Sequence, residues 1–280
     1  FVEPPKVLWF VMGEYMPPPL GILQLAAYLE SKNDKWDISV LDCQAEGLGW
    51  TKLERYLEQA EADVVVASAL ATCNTYTILR TLEIAKKVNP EVKTVVGGQH
   101  FTALADESLK MYPEIDFIIR GEGEETLNDL VRNLDQILPL SGVKGLSFRH
   151  GTEIIHNPPR PLLENLDDLP FPGYHLVEEH MDKYHFKMMA YSGAGYALVE
   201  ASRGCPHKCT FCSQWQHWQG KWRPKSPGRI ADEMEHIYNE YGVSFLWLTD
   251  DNLGLGSRTS ALCDELISRG ISQDISWFLQ

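Results

Sequence analysis

Residues 201–213 read Ala201-Ser202-Arg203-Gly204-Cys205-Pro206-His207-Lys208-Cys209-Thr210-Phe211-Cys212-Ser213, directly after the apolar run Tyr196 to Val199. The spacing of Cys205, Cys209 and Cys212 is Cys-x3-Cys-x2-Cys. Three thiolates on one short loop suit three irons of a cubane [4Fe–4S] cluster, which prefers thiolate sulfur. The loop offers no fourth thiolate, so the fourth iron is left for an exogenous ligand. An open iron of this kind is what binding and reductive cleavage of S-adenosylmethionine requires.

Other readings of the triplet exist. A disulfide framework belongs to oxidising compartments and small, cysteine-dense chains. This chain has six cysteines in 280 residues, an odd number of them in the loop, and no signal peptide is expected at its N-terminus. A structural zinc site recruiting His207 would lack the second, separated ligand pair that zinc modules favour. Three inert core thiols beside Pro206, His207 and Lys208 would make a poor core segment. Cys43, Cys73 and Cys263 stand apart from the loop and are expected to be small buried hydrophobes.

The bulk properties narrow the field. The apolar fraction of 44% supports a sizeable core. No apolar run is long enough for a membrane span. The net charge of −14 opposes binding to a nucleic-acid backbone. Reduced thiols place the protein in the cytoplasm. The basic strip Lys221-Trp222-Arg223-Pro224-Lys225 reads as a solvated surface or as an anion-binding patch.

The first part of the chain alternates strands and helices. Strands are expected at Lys6–Met12, Trp36–Asp42, Asp63–Ala69, Lys93–Val96 and Phe117–Arg120. Helices are expected at Leu20–Glu30, Trp50–Ala60, Thr75–Val88, Ala103–Met111 and Glu124–Leu134. This α/β pattern predicts a Rossmann-like, doubly wound parallel sheet over residues 1–150. Five prolines between Asn157 and Gly173 mark a linker, set at 151–190. Strands at Tyr196–Glu200, Phe245–Thr249 and Ile275–Leu279, separated by helices at Pro227–Tyr241 and Arg258–Arg269, fill 191–280. The cysteines then follow the first strand of a (β/α) barrel-type domain, at the end such folds use for chemistry. Three strands cannot close a barrel, so the remainder is expected outside this sequence.

A second site is expected in the first domain, where ligands bind beyond the carboxyl ends of strands. Ser68-Ala69-Leu70 ends one strand, Gly97-Gly98 the next, and Gly121-Glu122-Gly123-Glu124 follows a third. Small residues at three neighbouring strand ends open a cleft, although a glycine pair also simply makes a turn. Neither a dinucleotide fingerprint nor a P-loop is present.

Taken together, these features resemble the cobalamin-dependent radical S-adenosylmethionine (SAM) enzymes, which join a cobalamin-binding Rossmann-like domain to a radical barrel. The carrying stretches are Pro18-Pro19-Leu20-Gly21, Ser68-x-Leu70, Gly97-Gly98-Gln99-His100, Arg120 to Thr126, Leu166 to Pro172 and the cysteine loop. The resemblance implies that Leu20, Gly21, Ser68, Leu70, Gly97, Gly98, Gln99, His100 and Gly121 to Glu124 line the cobalamin site, with the nucleotide tail in the slot between strand ends. It implies that Cys205, Cys209 and Cys212 hold the cluster, and that Asp250-Asp251 meets the amino group of S-adenosylmethionine; a helix cap or solvated loop pair is the other reading of those aspartates. Other cobalamin domains carry a D-x-H-x-x-G histidine ligand to cobalt. The stretch ending at Gly21 has none, so cobalamin without that imidazole is expected, and His100 reads as a loop histidine.

A narrower likeness is to the anaerobic magnesium-protoporphyrin monomethyl ester cyclase branch, carried by Cys212-Ser213-Gln214-Trp215, Trp218, Arg223 and Asp232-Glu233-Met234-Glu235. The aromatics line a flat hydrophobic substrate or pack the loop on the barrel. The implied activity is formation of a 5′-deoxyadenosyl radical that functionalises an unactivated C–H carbon of a small-molecule substrate. The outcome is methyl transfer or cyclase-type oxidation, with an external electron donor. A non-catalytic cobalamin-binding protein and a zinc-stabilised interaction protein are the competing classes.

Overall fold

A computed structural model describes residues 1–5, 15–69, 71–187, 189, 195–250 and 257–279. In chain order it begins with β1 (Val2–Glu3), β2 (Tyr15–Met16), α1 (Leu20–Lys32), β3 (Leu41–Asp42), α2 (Trp50–Ala60), β4 (Val64–Ser68) and α3 (Thr75–Val88). Then come β5 (Lys93–Gly97), α4 (Gln99–Ala103), α5 (Ala105–Met111), β6 (Phe117–Ile119), α6 (Glu124–Asp135), β7 (Leu146–His150) and β8 (Glu153–His156). The remainder holds β9 (His185–Phe186), β10 (Ala197–Glu200), β11 (Ser202–Arg203), α7 (Gln214–His217), β12 (Arg223–Pro224), α8 (Pro227–Tyr241), β13 (Phe245–Thr249), α9 (Arg258–Ser268) and β14 (Ser276–Leu279). The chain forms two compact units, Phe1–Val7 with Gly21–Leu162 and Leu8–Leu20 with Leu163–Gln280.

In the first unit a five-stranded sheet runs β4-β5-β6-β7-β8, its first three strands parallel and its last two antiparallel. Strand side chains alternate between faces. Val65, Ala67, Val96 and Ile118 therefore pack with Leu53, Leu57, Ile78, Leu82 and Leu109 on one side. Val66, Val95, Phe117 and Ile119 pack with Leu29, Leu127 and Leu130 on the other. Helices cover both faces, as the double winding requires, and the strands are correspondingly apolar throughout.

Several elements differ from expectation. The second strand pairs with β1 only over Leu41–Asp42, in register with Val2–Glu3. The helix expected at Ala103–Met111 is broken at Leu104, with α4 before it and α5 after. The β7–β8 hairpin was not foreseen; its two-residue turn places Gly151 at φ 62°. The strand expected at Lys6–Met12 lies outside the described residues.

The second unit carries a parallel sheet ordered β10-β13-β14, with α8 and α9 as the crossovers. Each boundary of α8 has a local cause. The Ser226 side chain accepts the Arg229 N–H, Pro227 occupies the first turn, and Gly242 ends the helix at φ 67°. The hydroxyl of Tyr174 accepts the Leu198 N–H and donates to its carbonyl, so it satisfies backbone groups of the edge strand β10.

On α8, Ile230, Met234 and Ile237 form a buried stripe, and Glu233 lies within it. Its carboxylate meets Lys225 Nζ at 2.9 Å, and both side chains are wholly buried. A buried pair costs heavily when one partner is removed and little when both become apolar. Glu233→Ala should therefore lose about 3–5 kcal/mol of stability in urea denaturation, and the double substitution Lys225→Met with Glu233→Leu should lose less.

Candidate functional site

The cysteine loop is a closed excursion from the end of β10. Its legs pair as β11 and β12, with Arg203 opposite Arg223 and Ser202 opposite Pro224. Gly204 sits at φ 91°, and a Cβ there would overlap the Lys221 carbonyl crossing above it. Only glycine lets the legs approach this closely. Within the loop the Cys212 N–H donates to the Cys209 carbonyl at 3.1 Å. Cys209 is exposed, Cys205 and Cys212 are half-buried, and none is in a disulfide.

Among the described residues no three His, Cys, Asp or Glu side chains are gathered to hold one metal ion. Thiolates of a cubane bind different irons and need not converge on a point. The donor set, three soft thiols, fits a cluster of that chemistry.

Beneath the loop lies a polar network that the sequence did not reveal. The Trp222 indole N–H donates to Ser202 Oγ at 2.9 Å, and the Ser202 hydroxyl donates to Asp250 Oδ1 at 2.6 Å. Arg258 reaches Asp250 Oδ2 at 3.1 Å. Both oxygens of Asp250 therefore have protein partners, and an amino group approaching it would share them. Asp251 and Leu70 lie outside the described residues.

Of the basic strip only Lys221 among the cations is exposed. Arg223 and Lys225 are buried, Arg223 donating to the Leu163 carbonyl at 2.6 Å. Trp218 bonds Gln214 at 3.0 Å and lies under the Arg223 guanidinium, and Trp215 faces Lys208. Trp218 and Trp222 thus pack the loop itself. The available signal was Glu233: a glutamate at a core helical position demands a buried cation. Of the remaining cysteines, Cys43 is buried and its thiol is pushed up to about 12, mainly by that burial. Cys73 is exposed, contrary to expectation, because it lies in a one-turn segment ahead of α3.

In the first unit the three predicted strand ends do meet. Ser68 is in register with Gly97, and the Ala69 N–H donates to the Gly97 carbonyl at 3.0 Å. Thr72 Oγ1 lies 3.1 Å from His100 Nδ1, and the Gly121 N–H donates to Thr102 Oγ1 at 3.0 Å. Gly98 is at φ 91°, where a Cβ would overlap the Ala69 carbonyl, so the fold itself demands glycine there. Gly97 and Gly121 are different: a Cβ at Gly97 would meet only ordinary contacts, and one at Gly121 would face open space, although φ 78° there also favours glycine. They leave room at the edge, which fits close approach of a ligand. Gly123 abuts Leu25 of α1, the helix that Leu20 and Gly21 open. Gln99 and His100 begin α4. Glu122 and Glu124 are buried, and Glu124 sits in the first turn of α6, where the helix dipole favours an acid.

Three outcomes are expected from these geometries. Gly204→Ala and Gly98→Ala should each cost more than about 2 kcal/mol in urea denaturation, and Gly121→Ala, strained at φ 78° but free of any clash, should cost less than either. Burial holds the His100 imidazole below its ordinary 6.5. The unfolded chain then binds more protons than the folded one below that value, so stability should fall as the pH drops through 6.5. His100→Asn should flatten that part of the urea-midpoint profile.

Comparison with known proteins gives the site its setting. The B12 binding domain family matches residues 11–131, and the Radical SAM superfamily matches residues 199–277. An uncharacterized methyltransferase of Pyrococcus horikoshii is 33% identical over 93% of this chain and 54% of its own length. The anaerobic magnesium-protoporphyrin IX monomethyl ester cyclase of Cereibacter sphaeroides is 31% identical over 93% of this chain and 42% of its own. The chain thus spans about half the length of these curated relatives. The cobalamin-dependent S-adenosylmethionine radical enzyme OxsB, solved with aqua-cobalamin and S-adenosylmethionine bound, shares the fold with a TM-score of 0.74 at 22% identity. That superposition covers 94% of this chain and 36% of OxsB. The two matched domains bring the cofactors of their families, cobalamin, a [4Fe–4S] cluster and S-adenosylmethionine. With both domains on one chain, the protein belongs to the cobalamin-dependent radical SAM family.

Proposed function

We propose that the protein is a C-methyltransferase acting on an unactivated carbon of a small-molecule substrate. The observation that carries this reading is the pairing of the B12-binding and radical SAM domains in a chain 33% identical to a named methyltransferase. When bound, the cluster supplies the electron that cleaves S-adenosylmethionine, and cobalamin supplies a carrier for the methyl group. Cys205, Cys209 and Cys212 hold the cluster from a loop whose legs Gly204 allows to close. Ser68, Gly97 and Gly121 keep the carboxyl edge of the first sheet low enough for cobalamin to approach the backbone, with Gln99 and His100 on the neighbouring helix. The cobalamin domain expected at 1–150 takes in β8 (Glu153–His156) as the last strand of its sheet, so the linker begins after that strand, and 191–280 serves as the radical domain. An external donor reduces the cluster.

A second reading, oxidative ring closure on a flat tetrapyrrole-like substrate, is favoured by the 31% identity to the cyclase. The exposed Phe211 and the half-buried Trp215 are the aromatic side chains of the loop open to such a ring.

The test uses the full-length protein, reconstituted anaerobically with iron, sulfide and hydroxocobalamin, reduced, and given S-adenosylmethionine. About four irons and four sulfides per chain, retained cobalamin and formation of 5′-deoxyadenosine are expected. Cys209→Ala should abolish cluster retention and 5′-deoxyadenosine while leaving cobalamin bound. Absence of 5′-deoxyadenosine from a cluster-loaded, cobalamin-loaded protein would sink the radical assignment. Transfer of the labelled methyl carbon of S-adenosylmethionine to a product separates methylation from cyclisation.

A further inference from the structure

We infer that Arg258 is a positioning residue for the cysteine loop, an inference that rests on the reading of that loop as the cluster site. Arg258 is the first residue of α9. Its guanidinium donates to the Ala201 carbonyl on one leg of the loop and to the Lys225 carbonyl on the other, the latter at 3.0 Å. A third arm pairs with Asp250 Oδ2 at the carboxyl end of β13. The same group lies 5.6 Å from the ring centroid of Trp222, on the second leg. The Lys225 N–H closes the arrangement by donating to the Ala201 carbonyl at 2.9 Å.

Burial makes this placement informative. The Arg258 side chain is 9% exposed and that of Asp250 is 0% exposed. An ion pair so dry adds little net stability over apolar packing. What it does add is geometry: a planar fork with fixed donor directions sets the separation of the groups it bridges. Here the bridged groups are the two legs of the cysteine loop and the end of the neighbouring strand. Ser202 extends the link, joining Asp250 to the Trp222 indole. Asp250 on this account holds the loop through Arg258 and Ser202.

Lysine keeps the charge of Arg258 but cannot make the forked contacts. In the full-length protein without its cluster, hydrogen exchange should show Arg258→Lys speeding the Arg203 and Lys225 amides about tenfold, with Leu198 and Leu248 unchanged. After reconstitution, the same variant should shift the electron paramagnetic resonance g-values of the reduced cluster. Ser202→Ala, a milder change that leaves the Arg258–Asp250 pair in place, should give a smaller effect at the same amides. Unchanged exchange at Arg203 and Lys225 overturns the inference. So does equal acceleration throughout β10, β13 and β14, which would mark a general stabilising role. Faster loop exchange with unaltered g-values also overturns it, because the thiols would then be positioned by something else. A wild-type protein that takes up no cluster defeats the proposed function, while the exchange measurement still decides whether Arg258 clamps the loop.

Discussion

Parallel strand pairing is the constraint from which the rest of this structure follows. Two parallel strands cannot be joined by a hairpin, so each connection must leave the carboxyl end, cross a face and return. In the first unit that rule sends α3 across one face and places the loops after β4, β5 and β6 along a single edge. In the second it sends α8 and α9 between β10, β13 and β14, and leaves the cysteine loop and Asp250 beyond neighbouring strand ends. Both candidate sites are therefore consequences of topology before they are matters of side-chain chemistry.

The elements legible in the sequence were those with a strong period and a local stop. Thr75–Val88 combines helical periodicity with Pro90 just beyond it, and Pro227–Tyr241 carries its own cap, proline and terminal glycine. The β7–β8 hairpin carried a signal as well, Gly151-Thr152 between Arg149-His150 and Glu153-Ile154, but the neighbouring prolines drew the reading toward a linker. Trp36–Asp42 alternates like a strand, and Leu41–Asp42 pairs in parallel with β1.

The sites were legible to a similar depth. The cysteines announced themselves because three soft ligands in eight residues have few uses. The glycines were ambiguous, and the structure separates them: Gly98 and Gly204 answer to backbone crowding, Gly121 to its φ of 78°, and Gly97 to neither. The polar network beneath the loop was invisible, because its members come from positions as distant as Ser202, Trp222, Asp250 and Arg258. Sequence separation of that order is bridged only by the fold.

This distribution of buried polarity bears on how such a loop can hold its shape. The cysteine-bearing stretch Cys205–Cys212 holds no helix or strand, whereas Ser213–Lys221 is tied by its own turns, the Gly220 N–H donating to the Trp215 carbonyl at 2.7 Å. Apolar packing alone would hold the legs close without fixing their register, since dispersion is non-directional. Directional groups, the Arg258 fork, the Ser202 hydroxyl and the Lys225–Glu233 pair, set the register instead. They must be buried to escape competition from water, and once buried they must be paired. Paired charge is thus concentrated beneath the loop, beside strands that are mainly apolar.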